Sequence, residues 1–152
     1  MEVNNCRLPD DLLYHVEYNV WIRREDDGTV YLGMTDIAQT LAGSIIHCRP
    51  KKIGKTVKQG KSVATVESGK WVGPVKSPLT GEIIERNEAA EADATVLNRS
   101  PYKQGWIVRI APVDYDGENE SLTSGVTASD GFAAYMVEKE LTECIHCEGF
   151  EE

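Results

Sequence analysis

The length and the charge of the chain limit what it can be. Its 152 residues carry a formal net charge of −9 and are 41% hydrophobic, which suits one domain over residues 1–152 and argues against binding to nucleic acid, whose phosphates an acidic surface repels. No run of eighteen apolar residues and no signal-like start occurs, so we expect a cytoplasmic protein that does not associate with a membrane.

The first third of the chain has the pattern of a β protein. Residues 14–23 alternate between apolar and polar side chains, which is the period of a strand. A turn at 26–28 follows, and Thr35 or Asp36 can cap a short helix that Gly43 ends. Short apolar runs separated by Gly or Pro continue beyond this point and favour a mainly β fold, a flattened antiparallel sandwich or barrel.

Lys70 stands in the stretch that points most directly to a function. Residues 63–66 are small and β-branched, as in a strand packed on both sides, and Gly69 comes directly before the lysine. We predict two short strands that meet at a turn and expose Lys70 at its tip. Such a lysine is either a solvated hairpin residue without a role or the attachment point of a swinging arm.

The last quarter of the chain is acidic and differs from the rest. Residues 114–152 hold eleven Asp or Glu against the single Lys139, whereas the first 113 residues are nearly neutral. We place the core at 13–112, a connection and a C-terminal helix at 113–143, and a mobile tail at 144–152. The helix is expected to start at Ser129 or Asp130. The acidic surface of residues 114–152 either keeps the protein in solution or steers it to a basic rim on a partner enzyme.

The spacing of residues around Lys70 resembles that of a known family. Glu67 lies three residues before Lys70, Gly54 sixteen before and Gly81 eleven after, as around the lipoylated lysine of the H proteins of the glycine cleavage system. The resemblance continues through five further segments and covers about residues 14–112. Those segments are 29–39, 54–60, 87–89, 97–98 and 100–107.

This resemblance implies a fold, a cofactor and partners. The fold would be the lipoyl or H-protein-like barrel-sandwich hybrid with peripheral short helices and a C-terminal helix. Lipoate would be attached covalently to Lys70, and lipoate-attaching enzymes would recognise Glu67, Gly54 and Gly81. The protein would carry a group between active sites and would not be an enzyme. We further expect Glu67→Ala and Gly81→Ala to reduce modification more than stability.

The residues near the carrier lysine depart from the family pattern. H proteins hold the loaded amine with polar and acidic side chains, and the matching positions here are residues 18–20 and Pro74, where no acid stands. This departure resembles the lipoate-binding proteins of heterodisulfide-reductase-like sulfur-oxidising systems. It implies a sulfur intermediate on the arm and a heterodisulfide-reductase-like complex as partner. The alternatives are an aminomethyl carrier that serves glycine cleavage enzymes, and an unmodified interaction protein of the same fold.

The four cysteines, at 6, 48, 144 and 147, are too few and too uneven for a secreted disulfide framework, so we expect mostly reduced thiols. Cys144 and Cys147 form a C-x-x-C pair. It is either a redox pair that exchanges with the lipoyl dithiol or an incidental part of the tail. A zinc site would need further ligands, so we predict no metal.

Overall fold

The computed structural model describes residues 1–151, which form eleven strands and five α-helices. The strands are β1 (Glu2–Val3), β2 (Cys6–Arg7), β3 (Leu13–His15), β4 (Val20–Arg24), β5 (Val30–Met34), β6 (Ile45–Pro50), β7 (Thr56–Val57), β8 (Ser62–Ser68), β9 (Val72–Lys76), β10 (Gly81–Arg86) and β11 (Trp106–Pro112). The helices are α1 (Asp36–Ala42), α2 (Glu88–Ala92), α3 (Val96–Arg99), α4 (Tyr115–Glu118) and α5 (Gly125–Glu138), with a 3-10 turn at Asn119–Ser121.

All strand pairs are antiparallel, and the strands form three sheets. The largest has the order β3-β4-β5-β11-β10-β7, the second has the order β6-β8-β9, and the third is the ribbon β1-β2. One hydrophobic core lies between the two larger sheets and includes Leu32, Val66 and Ile83, all fully buried. The predicted fold class, a mainly β antiparallel sandwich with short helices, is confirmed.

The prediction of one continuous strand over residues 14–23 is wrong, because two paired strands, β3 and β4, occupy this range. The chain reverses after His15, and β3 pairs with β4 so that Tyr14 lies opposite Trp21. Asn19 adopts a positive φ of 59° at the reversal, a conformation that Asn tolerates better than most residues. The alternating pattern continues through the turn, which is why periodicity alone does not show the break.

The C-terminal helix α5 covers a second core on the outside of the large sheet. Phe132 and Met136 are buried there beside Tyr14 and Trp21, so this face of the helix packs on the sheet. The helix begins at Gly125, earlier than the predicted start at residues 129 or 130. Thr123 and Tyr14 exchange backbone hydrogen bonds of 2.8 and 2.9 Å just before it, and this bridge fixes where the helix can start.

The chain beyond α5 is attached to the body rather than free. A disulfide joins Cys144 to Cys6, and the N–H of Cys144 donates to the carbonyl of Asn4 at 3.1 Å. His146 Nε2 lies 2.8 Å from Oδ2 of the buried Asp36. The expectations of mostly reduced thiols and of a mobile tail are therefore corrected for residues 144–151. Position 152 lies outside the described residues.

No helix among residues 1–151 is both long enough and apolar enough to cross a membrane.

Candidate functional site

The Lys70 turn connects β8 to β9 and is as tight as the sequence predicts. The N–H of Ser68 donates to the carbonyl of Trp71 at 2.7 Å and closes the turn around Gly69 and Lys70. The Lys70 N–H also donates to the hydroxyl of Ser68 at 3.3 Å. Since Ser68 is buried, the turn is held from inside while Lys70 itself is exposed.

The side chain of Lys70 lies across the end of helix α1. A Cβ placed on Gly43 would be 3.0 Å from Cε and 3.8 Å from Nζ of Lys70. Gly43 has a φ of 80° and ends α1, so both its backbone conformation and its neighbour favour glycine. Sequence reasoning found the role of Gly43 as a helix end and missed its contact with Lys70, because the contact joins segments 27 residues apart.

Of the three residues predicted to be recognised by lipoate-attaching enzymes, only one lies on the hairpin of β8 and β9, which we call the carrier hairpin. Glu67 is in β8 and forms a partly exposed ion pair with Arg49 at 3.8 Å. Gly54 and Gly81 instead lie near the edge of the six-stranded sheet, where Gly81 is opposite Val57 of β7 and the N–H of Gly54 donates to the carbonyl of Ile83 at 2.8 Å. Their role in recognition by lipoate-attaching enzymes stays a prediction.

A cleft of about 280 Å³ opens beside the hairpin, and we call it the apolar cleft. Its lining includes the residues that the family resemblance singles out together with residues of α1, β9 and α5. They are Tyr18, Asn19, Val20, Met34, Ala38, Leu41, Ala42, Trp71, Pro74, Val75, Tyr135 and Lys139. None of these described lining residues is Asp or Glu, and the one charged side chain is that of Lys139. A cationic group placed here would therefore meet a like charge and no acidic partner.

Two aromatic contacts shape this cleft. The ring of Trp71 folds back over Gly73, since a Cβ at Gly73 would lie 2.3 Å from the ring. On the opposite wall, Tyr18 stacks on His15 with ring centroids 3.7 Å apart, and its N–H donates to Nδ1 of His15 at 3.0 Å. Burial lowers the pKa of His15, which favours the neutral ring that can accept this bond.

A second cavity, of about 180 Å³, is lined in part by Lys70, and we call it the tail cavity. The end of α1, helix α3 and the chain after Cys144 form its walls. Its lining residues are Gln39, Thr40, Gly43, Ser44, Lys70, Asn98, Ile145, Cys147 and Glu148. The structure therefore brings Cys147 and Lys70 to one cavity, a proximity that the sequence did not predict.

The predicted redox pair Cys144–Cys147 is corrected. Cys144 bonds to Cys6, 138 residues away in sequence, and Cys147 is left as an exposed free thiol. The β1-β2 ribbon carries Cys6 beneath the C-terminal chain, and the spacing of the C-x-x-C pair gives no sign of this third cysteine. Cys48 is the other free thiol. It is buried, and burial raises its pKa to about 12, so it is a poor nucleophile.

The geometry of the Lys70 turn is typical of one class of protein. The hydrogen-bonded turn between β8 and β9 presents one exposed lysine, Lys70, at its tip. This arrangement suits a carrier protein that holds a covalently attached group beside two cavities. The model of the family described as "Glycine cleavage H-protein" matches residues 12–133. The chain belongs to that family. Its members carry lipoate on a lysine and are not catalysts.

Individual relatives agree with this assignment. "Glycine cleavage system H protein 5" of Aquifex aeolicus is 43% identical over 141 residues, 91% of this chain and 95% of the relative. "Probable glycine cleavage system H protein 2" of Saccharolobus solfataricus is 40% identical over 141 residues, with the same coverage. The crystal structure of a glycine cleavage system H protein from Mycobacterium marinum has a TM-score of 0.72 and 27% identity over 88% of this chain and 100% of that one.

The residues around Lys70 fit the lipoyl group. Amide formation requires an accessible amine, and Lys70 is exposed on a turn closed by Ser68 and Trp71. The apolar stem of the group could lie along the cleft beside Trp71, which is 37% exposed. When bound, lipoate would supply a disulfide that can be opened and reclosed.

Proposed function

We propose that this chain is a lipoyl carrier whose arm is attached to Lys70. The observation that carries the proposal is the tight turn that exposes Lys70 at the end of β8, on a strand whose inner face is buried. A rigid base with a flexible arm delivers the attached group to other active sites at high effective concentration, without repeated binding and release. Lipoate-attaching enzymes are thus its first partners, and the cytoplasm is the proposed location.

Glycine cleavage enzymes are the first candidates for the partners that load and unload the arm. The support comes from the family and from the names of the relatives, which cover nearly the whole chain. In this case the arm carries an aminomethyl group. The loaded amine is cationic, and the protein must protect it until the next enzyme takes it.

The apolar cleft favours a second candidate, a carrier of a sulfur intermediate that serves a heterodisulfide-reductase-like complex. Val20 and Pro74 occupy positions where an amine would need an acceptor, and Lys139 adds a positive charge to the cleft. A missing charge-assisted hydrogen bond costs about 1.5–3 kcal/mol, or roughly tenfold to a hundredfold in occupancy of the protected state. A soft, uncharged or anionic sulfur group does not suffer this loss.

Glycine–bicarbonate exchange separates the two candidates. The fully lipoylated protein is supplied to glycine decarboxylase and aminomethyltransferase, with an H protein of known activity as reference. Exchange at a rate comparable to the reference assigns the aminomethyl cargo and rules out the hypothesis of a sulfur carrier. Exchange that is lower by tenfold or more, with lipoylation intact, rules out a role in glycine cleavage and supports the hypothesis of a sulfur carrier.

A matched pair of variants tests whether the missing acid causes a low rate. Pro74 is exposed in β9, so a polar side chain is tolerated there. Pro74→Asp supplies a carboxylate at the cleft, and Pro74→Asn supplies nearly the same shape without the charge. If charge is the missing element, exchange increases with Asp and stays low with Asn. An equal effect of both variants would mean that the proline ring, and not the charge, limits the rate.

A further inference from the structure

We propose that the tail cavity is a docking site for the oxidised arm, where the thiol of Cys147 captures the lipoyl disulfide. The proposal rests on lipoate being attached to Lys70. It differs from a resting position in the apolar cleft, because the arm would be held in a different cavity by a covalent bond to this chain's own cysteine.

The first argument is position. Lys70 and Cys147 line the same cavity of about 180 Å³, and both are exposed. The Lys70 side chain already leans over Gly43 toward this side. The bonds that link the lysine nitrogen to the dithiolane ring are mostly sp³ and rotate among staggered positions. An arm that starts at Lys70 can therefore fold back into the cavity.

The second argument is that Cys147 is held in place by its neighbours. The disulfide to Cys6 fixes Cys144, and His146 Nε2 lies within 2.9 Å of both carboxylate oxygens of Asp36. On the other side, the hydroxyl of Ser44 donates to Oε1 of Glu148 at 2.9 Å. Cys147 thus stands between two anchored residues, which keeps its thiol near the arm at little cost in entropy.

The polar side chains in the walls of the cavity are held by hydrogen bonds to one another and to the backbone. Asn98 donates to the side-chain oxygen of Gln39 at 3.0 Å and to the carbonyl of Gly43 at 2.9 Å. The hydroxyl of Thr40 accepts from the N–H of Ile145 at 3.2 Å. These bonds make a preformed polar wall rather than a loose surface.

The chemistry needs no added oxidant. The Cys147 thiolate attacks one sulfur of the dithiolane, a new S–S bond forms, and the S–S bond of the ring breaks. Its electron pair stays on the second lipoyl sulfur, which takes up the proton that Cys147 lost. One disulfide replaces another, so nothing is oxidised overall. A five-membered ring cannot reach the dihedral angle of about 90° that disulfides prefer, and this strain favours opening.

The other cysteines are unsuited to this reaction. Cys6 and Cys144 are already bonded to each other. Cys48 is 3% exposed, and its raised pKa leaves little thiolate at neutral pH. Cys48→Ser is therefore a matched control, since it removes one free thiol from the chain without touching the cavity.

The test is to trap and map the mixed disulfide. Intact mass first establishes one lipoyl group, and peptide mapping places it on Lys70. The oxidised protein is then treated with iodoacetamide, which caps the released lipoyl sulfur, and is digested with trypsin without reduction. We expect a species that links residues 62–76, through an alkylated arm, to residues 140–152, which stay joined to residues 1–7 by the Cys6–Cys144 disulfide. It forms in the parent protein and in Cys48→Ser, and it is absent in Cys147→Ser and in Lys70→Arg.

Dilution shows whether the bond is formed within one molecule. The linked fraction should stay constant when the protein is diluted a hundredfold before trapping. Any one of three results would overturn the docking proposal alone. The linked species is missing although lipoate is on Lys70, it persists in Cys147→Ser, or the linked fraction falls with dilution. Absence of lipoate from Lys70 would instead overturn the proposed function, and the docking proposal with it.

Discussion

At the scale of single residues, Glu67 and Gly81 have different reasons to be where they are. Glu67 lies on the carrier strand and makes one ion pair, with Arg49, whose side chain is 66% exposed. Exposed ion pairs of this kind contribute about 0–1 kcal/mol to stability. Gly81 lies against the backbone of Ala111, at a distance where a Cβ would be 2.8 Å from the carbonyl oxygen.

For Glu67→Ala, we therefore expect the yield of lipoylation to fall several-fold while the free energy of unfolding changes by less than about 1 kcal/mol. The carboxylate next to the turn is available to an attaching enzyme and contributes little to the fold. Adduct yield by intact mass and unfolding in urea measure the two effects. Glu82→Ala, at an exposed position in β10, is the control. An equal loss of yield in both variants would contradict a specific role for Glu67.

For Gly81→Ala, the structure reverses the order expected from the sequence. The new methyl group would press on backbone atoms of β11, which cannot move aside as a flexible side chain can. We expect a loss of about 1–3 kcal/mol in the free energy of unfolding. Gly69→Ala, with no atom within 4 Å of its added Cβ, should stay near the parent value. A Gly81→Ala variant that is as stable as Gly69→Ala would show that β11 shifts freely.

At the scale of elements, the carrier hairpin also forms a wall of the apolar cleft. Trp71 follows the turn directly, and its ring lies over Gly73 in β9. This contact folds the indole back toward the cleft instead of letting it extend into solvent. The glycine two residues after Trp71 is thus part of the site, although it makes no polar contact with the arm.

In Gly73→Ala, we expect the Trp71 ring to move away, because an indole can rotate at lower cost than the strand can shift. Tryptophan emission should move to longer wavelength as the ring becomes more exposed, with little change in stability. Trp71→Phe identifies the share of emission that belongs to this residue. Trp21 is fully buried and serves as an internal reference. An unchanged spectrum in Gly73→Ala would mean that the ring does not need the space above Gly73.

The sequence predicted those parts of the fold and site that depend on local signals. The strand before Lys70, the turn and the capped helix at Thr35 are each specified by residues that are close in sequence. The cleft is different, since Tyr135 of α5 and Lys139, which directly follows that helix, line it from more than sixty residues after Lys70. The sequence did not predict the disulfide between Cys6 and Cys144 for the same reason. No local pattern connects the two ends of a chain, whereas a C-x-x-C spacing suggests a pair that does not form.

At the scale of the whole molecule, the disulfide fastens the two ends of the chain to each other. It closes a loop with a sequence separation of 138 residues, and loop entropy gives about 5 kcal/mol as the upper limit of its stabilisation, with about 2–5 kcal/mol found when such bonds are removed. It also keeps Cys147 at the tail cavity. Stability and the position of the tail are therefore linked through one bond.

We expect Cys6→Ser to lower the free energy of unfolding by about 2–5 kcal/mol. A reductant should lower the stability of the parent protein by a similar amount and have no further effect on the variant. Cys147→Ser, which removes an exposed thiol, should remain close to the parent. Urea unfolding with and without reductant, on protein that has not been lipoylated, makes the comparison. Equal stability of Cys6→Ser and the parent would mean that the bond contributes nothing to the fold.

The central claim is that Lys70 carries the arm, and the most direct test is the mass of the protein. After co-expression with a lipoylation system, intact-mass analysis should show one lipoyl group, and peptide mapping should place it on residues 62–76, which contain the uncleaved Lys70. Lys70→Arg should lose the adduct completely and keep its stability, since the Lys70 side chain is exposed. A lipoyl group on Lys76 or Lys103 instead, or no adduct with any lipoylation system, would contradict the claim.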